Sequence, residues 1–409
     1  MRILAWNIQW FTLSRVEPSP QGSLAADFDD ADRVVANRVY ISSTVRAADP
    51  DVFVVLEARC SWNQTVGTLA SGDGTTALQI LLASLRLVNA NWCLVPPLRT
   101  NPSELEPAYT ETIGVYYRSD RVTFTGPLRW PLNTAGNAPS PTGPPIPPGG
   151  NVAASYPAPW NATVPQGTVA AAQTSFTTNN GSVIYFTQNI NRRPYLTTFT
   201  ELGGMQRNVR LFSVHLPPRR VSSQQALSSM ASISDADSRP GNNELTVIVG
   251  DMNVNLNGDT MARSADDTLR MRGYRQVYPQ SRGSGWGRVY EPSIIKSRTD
   301  ATFDDYKTGR PCYDYGYVWY GQGAQPAAWP GRGVVADRVA GVAAANTLPG
   351  FTHDMRITLA ELGNLPIERL RQIYGPNAQR SNLFRERWNY GHISRPDGTS
   401  DHLPFFLIV

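Results

Sequence analysis

Short apolar strands that each stop at a polar residue constrain this chain more than any other feature of its sequence. Residues 51–56 deliver Glu57, and the run Leu-Thr-Val-Ile-Val-Gly at 245–250 delivers Asp251. Near-continuous apolar runs are typical of strands that are covered on both faces. Polar groups that follow such strands gather at one edge of a sheet, where α/β proteins form their active sites. The sequence therefore predicts an α/β fold with a polar site at the strand ends.

The same pattern recurs along the whole chain. The polar strand-end residues are Asn7, Glu57, His215, Asp251 with Asn253, Asp314, and Asp401 with His402. The chain has only four histidines, and two of them belong to this set. The other two, His353 and His392, have no motif around them and are interpreted as structural or solvated.

Apolar periodicity and proline or glycine breaks predict an alternation of helices and strands. Predicted strands cover 2–8, 51–56, 112–117, 121–125, 183–187, 208–215, 245–250, 313–320 and 403–409, and predicted helices cover 31–48, 75–88, 221–234, 260–272 and a stretch near 366–374. The first helix is expected to end at Asp49-Pro50, because the residue before a proline avoids the helical conformation. This order indicates mixed α/β architecture.

The domain organisation follows from the spread of the motifs. They run nearly from end to end of the 409 residues, which favours a single domain over 1–409. Two segments interrupt them: a proline- and glycine-rich loop at about 126–167 and a second segment at about 321–395. Both are interpreted as insertions.

The positive charge of the chain is carried almost entirely by arginine. The formal net charge is +4 and the pI is about 9.0, and Lys296 and Lys307 are the only lysines among 37 basic residues. Arginine binds phosphate bidentately and stacks on bases. GC-rich coding DNA also produces this bias. Arginine pairs such as Arg192-Arg193 and Arg219-Arg220 therefore fit phosphate binding and compositional drift equally well.

The cysteines and the apolar runs of the sequence bear on metal binding and on cellular location. The three cysteines, Cys60, Cys93 and Cys312, form no CxxC pair, so no zinc cage is indicated. Three free thiols are the simplest interpretation, and one disulfide is the alternative. There is neither a membrane-length apolar run nor a signal-peptide pattern, so we expect a cytoplasmic protein unless the chain is a mature or otherwise exported form.

The residue types of the strand-end set suit phosphoester hydrolysis. Glu57, Asp401 and Asn7 offer hard oxygen ligands for Mg²⁺, with Mn²⁺ as the alternative, rather than for zinc. A cation on a phosphate oxygen stabilises the charge of the transition state. Histidine supplies the acid and base near neutral pH, and a carboxylate on its other nitrogen fixes its tautomer. Glu111 and Asp314 are the candidates for those carboxylates.

These residues lie in motifs that resemble the endonuclease/exonuclease/phosphatase superfamily, with pancreatic deoxyribonuclease and the cytolethal distending toxin nuclease subunit nearest in motif. The matching pieces, in the family's order, are Leu4-Ala-Trp-Asn-Ile8, Leu56-Glu-Ala-Arg59, Tyr109-Thr-Glu111, Ser213-Val-His-Leu-Pro217, Val249-Gly-Asp-Met-Asn253, Tyr313-Asp-Tyr315 and Ser400-Asp-His-Leu-Pro404. The resemblance implies a four-layer α-β-β-α sandwich of two mixed sheets.

The resemblance also implies a metal site. By this likeness Glu57 is the principal ligand, and Asn7 and Asp401 assist it. Asp251 resembles the carboxylate that orients water or binds a second metal ion.

The remaining motif residues resemble the family's catalytic and phosphate-binding groups. His215 and His402 match the histidine pair that flanks the scissile phosphate, with Glu111 orienting the first and Asp314 the second. Asn253 matches the phosphate-binding amide.

Finer features favour a DNA endonuclease that leaves 5′-phosphate ends. Arg59 and Tyr109 resemble substrate-binding residues of pancreatic deoxyribonuclease, although Arg59 also fits a surface ion pair. The Pro-x-Trp-x-Asp-Arg motif of the inositol-phosphatase branch is missing from the sequence. The alternatives are a phosphatase or lipid phosphodiesterase, acting on an inositol phosphate or sphingomyelin headgroup, and a catalytically idle binding protein.

Overall fold

The computed structural model describes the sheets, most of the helices and the strand ends where the motifs lie. The described residues are 1–16, 38, 41–42, 44–61, 69–100, 110–126, 137–138, 162, 184–185, 192, 194–218, 220–231, 233–257, 260–279, 281–282, 288–294, 309–327, 333–335 and 400–409. The predicted helix near 366–374 lies outside them, as does most of both predicted insertions.

The described residues form sixteen strands. In chain order they are β1 (Arg2–Phe11), β2 (Val52–Arg59), β3 (Trp92–Val95), β4 (Glu111–Arg118), β5 (Val122–Gly126), β6 (Asn137–Ala138), β7 (Ile184–Tyr185), β8 (Tyr195–Glu201), β9 (Asn208–His215), β10 (Glu244–Asp251), β11 (Arg275–Val277), β12 (Ser281–Arg282), β13 (Val289–Tyr290), β14 (Asp314–Tyr320), β15 (Gly333–Val335) and β16 (Phe405–Ile408).

Twelve of these strands build two mixed six-stranded sheets. The order in the first sheet is β15-β16-β1-β2-β4-β3, and in the second it is β11-β14-β10-β9-β8-β5. Each sheet has one parallel pair at its centre, β1 with β2 and β9 with β10, and antiparallel neighbours on both sides. The remaining strands form the short pairs β6–β7 and β12–β13.

Four helices have both ends in the described residues: α1 (Asp73–Val88), α2 (Arg220–Met230), α3 (Ser234–Asp237) and α4 (Thr260–Arg272). A 3-10 turn follows β1 at Leu13–Arg15. Residues 41–42 and 44–48 are also helical, and helix ends before Asp49-Pro50 as predicted. No helix among the described residues is both long and apolar enough to cross a bilayer.

The two sheets pack face to face, with β1 against β10 and β2 against β9. Helix α1 covers the outer face of the first sheet, and it buries Ala77, Leu78, Leu81, Leu82 and Leu85 at the i, i+3, i+4 spacing of an amphipathic helix. Helices α2 and α4 pack against each other, and α4 contacts β11 of the second sheet. The central strands are therefore covered on both sides, which explains their unbroken apolar runs.

The predicted sandwich of two mixed sheets is confirmed, and the structure adds strands to it, with β3, β11 and β15 at sheet edges and β8 between β9 and β5. Strands β3, β8 and β11 had no predicted counterpart, and β15 lies inside the segment interpreted as the second insertion. Strand β15 is only three residues long, too short for periodicity to reveal it. It pairs with β16, from Gly333 opposite Leu407 to Val335 opposite Phe405.

Candidate active site

The parallel pair in each sheet delivers polar residues to the same edge of the molecule. Strands β1 and β2 bring Asn7 and Glu57 to their carboxyl ends. Strands β9 and β10 end on His215 and Asp251, which are opposite each other in the ladder. Because the two sheets face each other, the four side chains meet across the sandwich, as the hydrogen bonds below show.

The antiparallel neighbours start where the parallel strands end. Asp314 opens β14 directly opposite Asp251, and Glu111 opens β4 opposite Arg59. This reversal brings two further carboxylates to the same edge. All of these positions except Glu57 and Arg59 are buried.

Asn7 joins the two sheets through its side-chain amide. Its Nδ2 donates to Glu57 Oε1 at 3.1 Å and to Asp251 Oδ2 at 3.0 Å. Its backbone carbonyl accepts a 2.5 Å hydrogen bond from Ser400 Oγ. A neutral amide in this place separates two carboxylates that would otherwise repel each other.

Bulges in β1 and β2 shape the site around Glu57, which lies where β2 shifts register against β4 between Val55 and Ala58. Asn7 is opposite Leu56, whereas Phe11 is opposite Ala58, so the register shifts between these two points. Glu57 has a φ of 60° and Trp10 a φ of 55°, in the left-handed region that bulky residues rarely adopt. The Trp10 backbone N–H donates to Glu57 Oε2 at 3.1 Å. Strained bulges of this kind are common beside active sites.

His215 is held by a carboxylate on one nitrogen and an arginine on the other. Nδ1 lies 3.0–3.1 Å from the oxygens of Glu111. Nε2 lies 2.5 Å from Nη1 of Arg192, whose Nε also pairs with Glu111 at 3.2 Å. A guanidinium can only donate, so Nε2 accepts and the ring proton resides on Nδ1. Glu111 therefore contacts His215, the residue that it is predicted to orient.

His402 pairs with Asp314 in a more deeply buried setting. Its Nδ1 lies 2.9 Å from Asp314 Oδ2. Burial lowers the pKa of His402, but the fields of Asp314 and Asp251 outweigh it and raise the pKa to about 10. Burial also raises the pKa of Asp314, to about 6, against the opposing field of His402. At neutral pH the pair is therefore an ion pair.

Backbone contacts fix the position of His402. Its carbonyl accepts from Trp6 Nε1 at 2.9 Å, and its N–H donates to Ser400 Oγ at 3.0 Å. Ser293 Oγ accepts from the backbone N–H of Asp314 at 3.0 Å. The side chains of Trp6, Ser400 and Ser293 therefore hold the backbone that carries the ring and the backbone that carries its carboxylate.

The two histidines converge on one oxygen atom. His215 Nε2 and His402 Nε2 each lie 3.6 Å from Asp251 Oδ2. Asp251 Oδ1 accepts from the backbone N–H of Asn253 at 2.9 Å. Two imidazole rings thus share one carboxylate oxygen as a neighbour, and Glu57 Oε1 lies 3.3 Å from His215 Nε2.

The other predicted site residues are Asn253, Asp401, Arg59 and Tyr109. Asn253 adopts a φ of 50° and donates from Nδ2 to the carbonyl of Leu216 at 2.7 Å. Asp401 is half-buried, and its charge contributes to the raised pKa of His402. Arg59 lies under Trp10, with Cζ 4.8 Å from the ring centroid. Tyr109 lies outside the described residues.

The oxygens at the first-sheet side of the site suit a hard divalent cation. Among the described residues, Asn7 Oδ1 and Asp401 Oδ1 are buried without a hydrogen-bond partner. A buried acceptor without a donor is costly unless something satisfies it. Oxygens of this kind, together with the carboxylate of Glu57 beside Asn7, are the ligand type that Mg²⁺ and Mn²⁺ prefer.

A second cluster of ligand-type atoms is a poorer metal site. One ligand atom from each of Asp251, Asp314 and His402 lies within 4.8 Å of the others. His402 Nδ1 is already bonded to Asp314, and the fields of Asp314 and Asp251 raise the pKa of the ring, which favours its protonated form. A protonated imidazole cannot bind a cation. We therefore assign this cluster to proton and charge chemistry.

Three contributors have no individual role in the sequence interpretation. Arg192 contacts both His215 and Glu111, Trp10 contacts Glu57 and Arg59, and Ser400 clamps Asn7 and His402. The Arg192-Arg193 pair was a signal for the first, and the Ser-Asp-His motif for the third. Nothing in the sequence marked Trp10, because only the bulge exposes it.

The sequence matches the family model described as Endonuclease/Exonuclease/phosphatase family over residues 4–402. No curated protein sequence matches the chain. Similar solved structures include a humanized TDP2 of D. rerio (12% identity, TM-score 0.40, 99% of this chain and 97% of that one), the mannosyl-6-phosphatase Bt3783 of Bacteroides thetaiotaomicron (10%, 0.41, 99% and 98%) and a beta toxin of Staphylococcus aureus (11%, 0.42, 99% and 98%).

Proposed function

Because the chain belongs to the endonuclease/exonuclease/phosphatase family, we propose that it is a divalent-metal-dependent phosphodiesterase that cuts nucleic acid, with DNA as the favoured substrate. One observation carries the proposal: the Nε2 atoms of His215 and His402 both lie 3.6 Å from the same oxygen of Asp251. A phosphodiester needs groups on both the attacking and the leaving side of phosphorus, and this pair supplies them.

The proposed metal ligands come from the first sheet and from the segment that leads into its strand β16. Glu57, Asn7 and Asp401 would hold the cation, with Asp251 as an additional carboxylate beside them. When bound, Mg²⁺ polarises a phosphate oxygen and offsets the charge that develops in the transition state. The partnerless oxygens of Asn7 and Asp401 support this assignment.

The attacking side of the reaction falls to Asp251 and His402. Asp251 is held by Asn7 Nδ2 and by the Asn253 N–H, so its carboxylate is fixed in orientation. In this proposal it orients the attacking water and accepts its proton. His402, charged through its pairing with Asp314, donates a hydrogen bond to a phosphate oxygen. Preorganised donors of this kind stabilise developing charge strongly.

The leaving side of the reaction falls to His215 and Arg192. Glu111 contacts both side chains, which holds imidazole and guanidinium together. Arg192 donates to His215 Nε2 in this structure. A phosphate that entered between them would receive donors from the guanidinium and would place its leaving oxygen next to the imidazole. In the proposed step the P–O bond to the leaving oxygen breaks as the water oxygen bonds to phosphorus, and His215, protonated on Nε2 as well as Nδ1, gives its Nε2 proton to the leaving oxygen. Arginine is well suited to such contacts.

Cleavage of supercoiled plasmid and of a single-stranded oligonucleotide tests the proposal. The wild-type protein should cut with Mg²⁺ and stop with EDTA, and Glu57→Ala and His215→Ala should be inactive while unfolding at the wild-type temperature. Met271→Ala is the matched control, because Met271 is an 80% exposed side chain on α4. Full activity of His402→Ala would contradict the mechanism.

The same assay separates the alternative activities of this scaffold. If nucleic acid stays intact while phosphate or phosphocholine is released from phosphomonoesters or sphingomyelin vesicles, the protein is a phosphatase or lipid phosphodiesterase. The roles of the site residues would then stay as proposed, and only the substrate would differ.

A further inference from the structure

Trp10 is the exposed aromatic side chain beside the catalytic centre. Its exposed fraction is 47%, and it is the only aromatic residue among the large hydrophobic side chains exposed in the described part of the chain. Its neighbour Phe11 is fully buried. The bulge in β1 therefore turns one ring out and the next ring in.

The backbone holds Trp10 against the proposed metal ligand. The Trp10 N–H donates to Glu57 Oε2 at 3.1 Å, and both residues have positive φ. A left-handed backbone at non-glycine residues costs roughly 1–3 kcal/mol each and persists where the surroundings impose it. The position of the indole is thus tied to the carboxylate that faces the substrate.

Arg59 supports the ring from the next strand. Its Cζ lies 4.8 Å from the centroid of the Trp10 ring, which is cation–π contact. The Arg59 backbone is itself fixed, because Gly74 of α1 packs so closely on it that an added Cβ would overlap the Arg59 backbone atoms. Two flat groups are therefore held together at the rim of the site.

We propose that Trp10 and Arg59 form a stacking platform for an unpaired nucleobase next to the scissile phosphate. This inference rests on the proposed function and specifies its substrate as a strand whose base is free to leave the duplex stack. The base would stack on the solvent-exposed part of the indole, and the Arg59 guanidinium would add a cation beside the adjoining phosphate. Base–aromatic stacking tolerates any sequence, because every base has a π face.

A membrane surface is the other class of partner that an exposed tryptophan suits. The surroundings of Trp10 disfavour it. Its backbone bonds to Glu57 and its ring lies on Arg59, and both of these residues are charged, whereas insertion into lipid needs several apolar side chains together. The nucleobase is therefore the occupant that the local chemistry favours.

The test compares two substrates that differ only in their bases. One is a single-stranded oligodeoxynucleotide, and the other is the same phosphodiester chain with tetrahydrofuran residues in place of nucleosides. Trp10→Ala should lower kcat/KM on the first roughly 5- to 150-fold, which corresponds to ~1–3 kcal/mol per stacked base, mainly through KM. It should leave the baseless chain unchanged. Trp10→Phe should restore most of the loss, and Met271→Ala should match the wild type on both substrates.

Two results would overturn the platform, and they are distinguishable. If Trp10→Ala loses the same factor on both substrates, the ring acts only by positioning Glu57, and the proposed nuclease function survives. If the wild type cuts neither substrate but hydrolyses sphingomyelin in vesicles, and Trp10→Ala weakens its vesicle binding, the platform and the nuclease function fail together.

Discussion

The two ends of the β-sandwich both bury charge, but they do so in opposite ways. At the carboxyl ends of the parallel strands, four acidic side chains crowd together: Glu57, Glu111, Asp251 and Asp314. At the other end, Asp51, Glu201 and Glu244 each pair directly with an arginine. In the proposed mechanism the first end binds a cation, whereas the acids of the second, complete end are already paired.

The complete end is centred on Glu201. Its carboxylate accepts from Arg207 Nη2 at 2.7 Å and from Arg207 Nε at 2.8 Å, and it pairs with the Met1 ammonium at 2.9 Å. Arg207 also donates to the carbonyl of Val409 at 2.8 Å. This cluster ties the first and last residues of the chain to β8. A bidentate, buried pair of this kind stabilises the fold when both partners are present.

The comparison shows how one sandwich separates stability from function. Both ends expose strand termini, so both need polar groups. At the site end Asn7 Oδ1 and Asp401 Oδ1 are buried without a donor among the described residues, whereas the Glu201 carboxylate at the other end is paired on both oxygens. Sites that violate the usual rules of polar satisfaction are characteristic of function. Substitutions at the two ends should therefore have separable effects.

The largest effect is expected from the histidines. His215→Ala and His402→Ala should each lower kcat/KM for nucleic acid cleavage by roughly 10²–10⁴-fold, the usual contribution of a positioned acid or base. Initial-rate measurements check this, with thermal unfolding as the control for folding. An activity within a few-fold of wild type for either variant would break the assignment of catalysis to this end.

Arg207→Met tests whether the complete end contributes stability rather than activity. It should reduce the free energy of unfolding by about 3–5 kcal/mol, because it leaves Glu201 buried without its main partner. Cleavage activity per folded molecule should stay at the wild-type level. Urea unfolding measures the change in the free energy of unfolding.

The double variant Arg207→Met with Glu201→Gln should recover part of the lost stability, since the uncompensated charge is gone. A selective loss of activity would contradict the division between the ends.

Lowering the pH should weaken the stabilisation that Glu201 gives to the complete end. Burial raises the pKa of Glu201, but Arg207 and the Met1 ammonium outweigh it and lower the pKa from 4.5 to about 2. A depressed pKa stabilises the fold above the unfolded value and loses that stabilisation as the pH falls toward 2, a loss of about 3 kcal/mol. The free energy of unfolding measured from pH 5 to pH 2 should fall less steeply for Glu201→Gln. Equal slopes would contradict the pairing.

The smallest effect concerns the cation itself. Mg²⁺ should raise the free energy of unfolding by about 1.4 kcal/mol at ten times its Kd, because it binds the folded state only. Glu57→Gln should abolish this gain, and Arg207→Met should keep it. Urea unfolding with Mg²⁺ or EDTA checks the point. A gain that survives Glu57→Gln would move the metal to another group of ligands.

Much of this architecture is readable from the sequence, for a physical reason. Central strands are covered on both faces, so β2 and β10 had to be continuous apolar runs, and the polar residues after them could be predicted to share an edge. The pairs His215–Glu111 and His402–Asp314 also followed, because the family's motifs carry them. Edge strands were missed, since β3 and β15 are short and have no alternation to detect.

The contacts that depend on local backbone geometry could not be predicted. Trp10 faces outward because of a register shift between β1 and β2, and a pattern of period two would have placed it differently. Arg192 is one of many arginines, and only the fold brings it to His215. Both residues owe their roles to contacts between chain segments that are distant in sequence or out of register.

The most direct test of the central claim is the initial rate of plasmid nicking as a function of Mg²⁺ concentration, for the wild type, Glu57→Gln and Arg207→Met. Saturable, EDTA-sensitive nicking by the wild type and by folded Arg207→Met, with no nicking by a stably folded Glu57→Gln, is the predicted result. If Glu57→Gln nicks at the wild-type rate with the same Mg²⁺ dependence, the acid-rich end is not the metal-dependent hydrolytic centre.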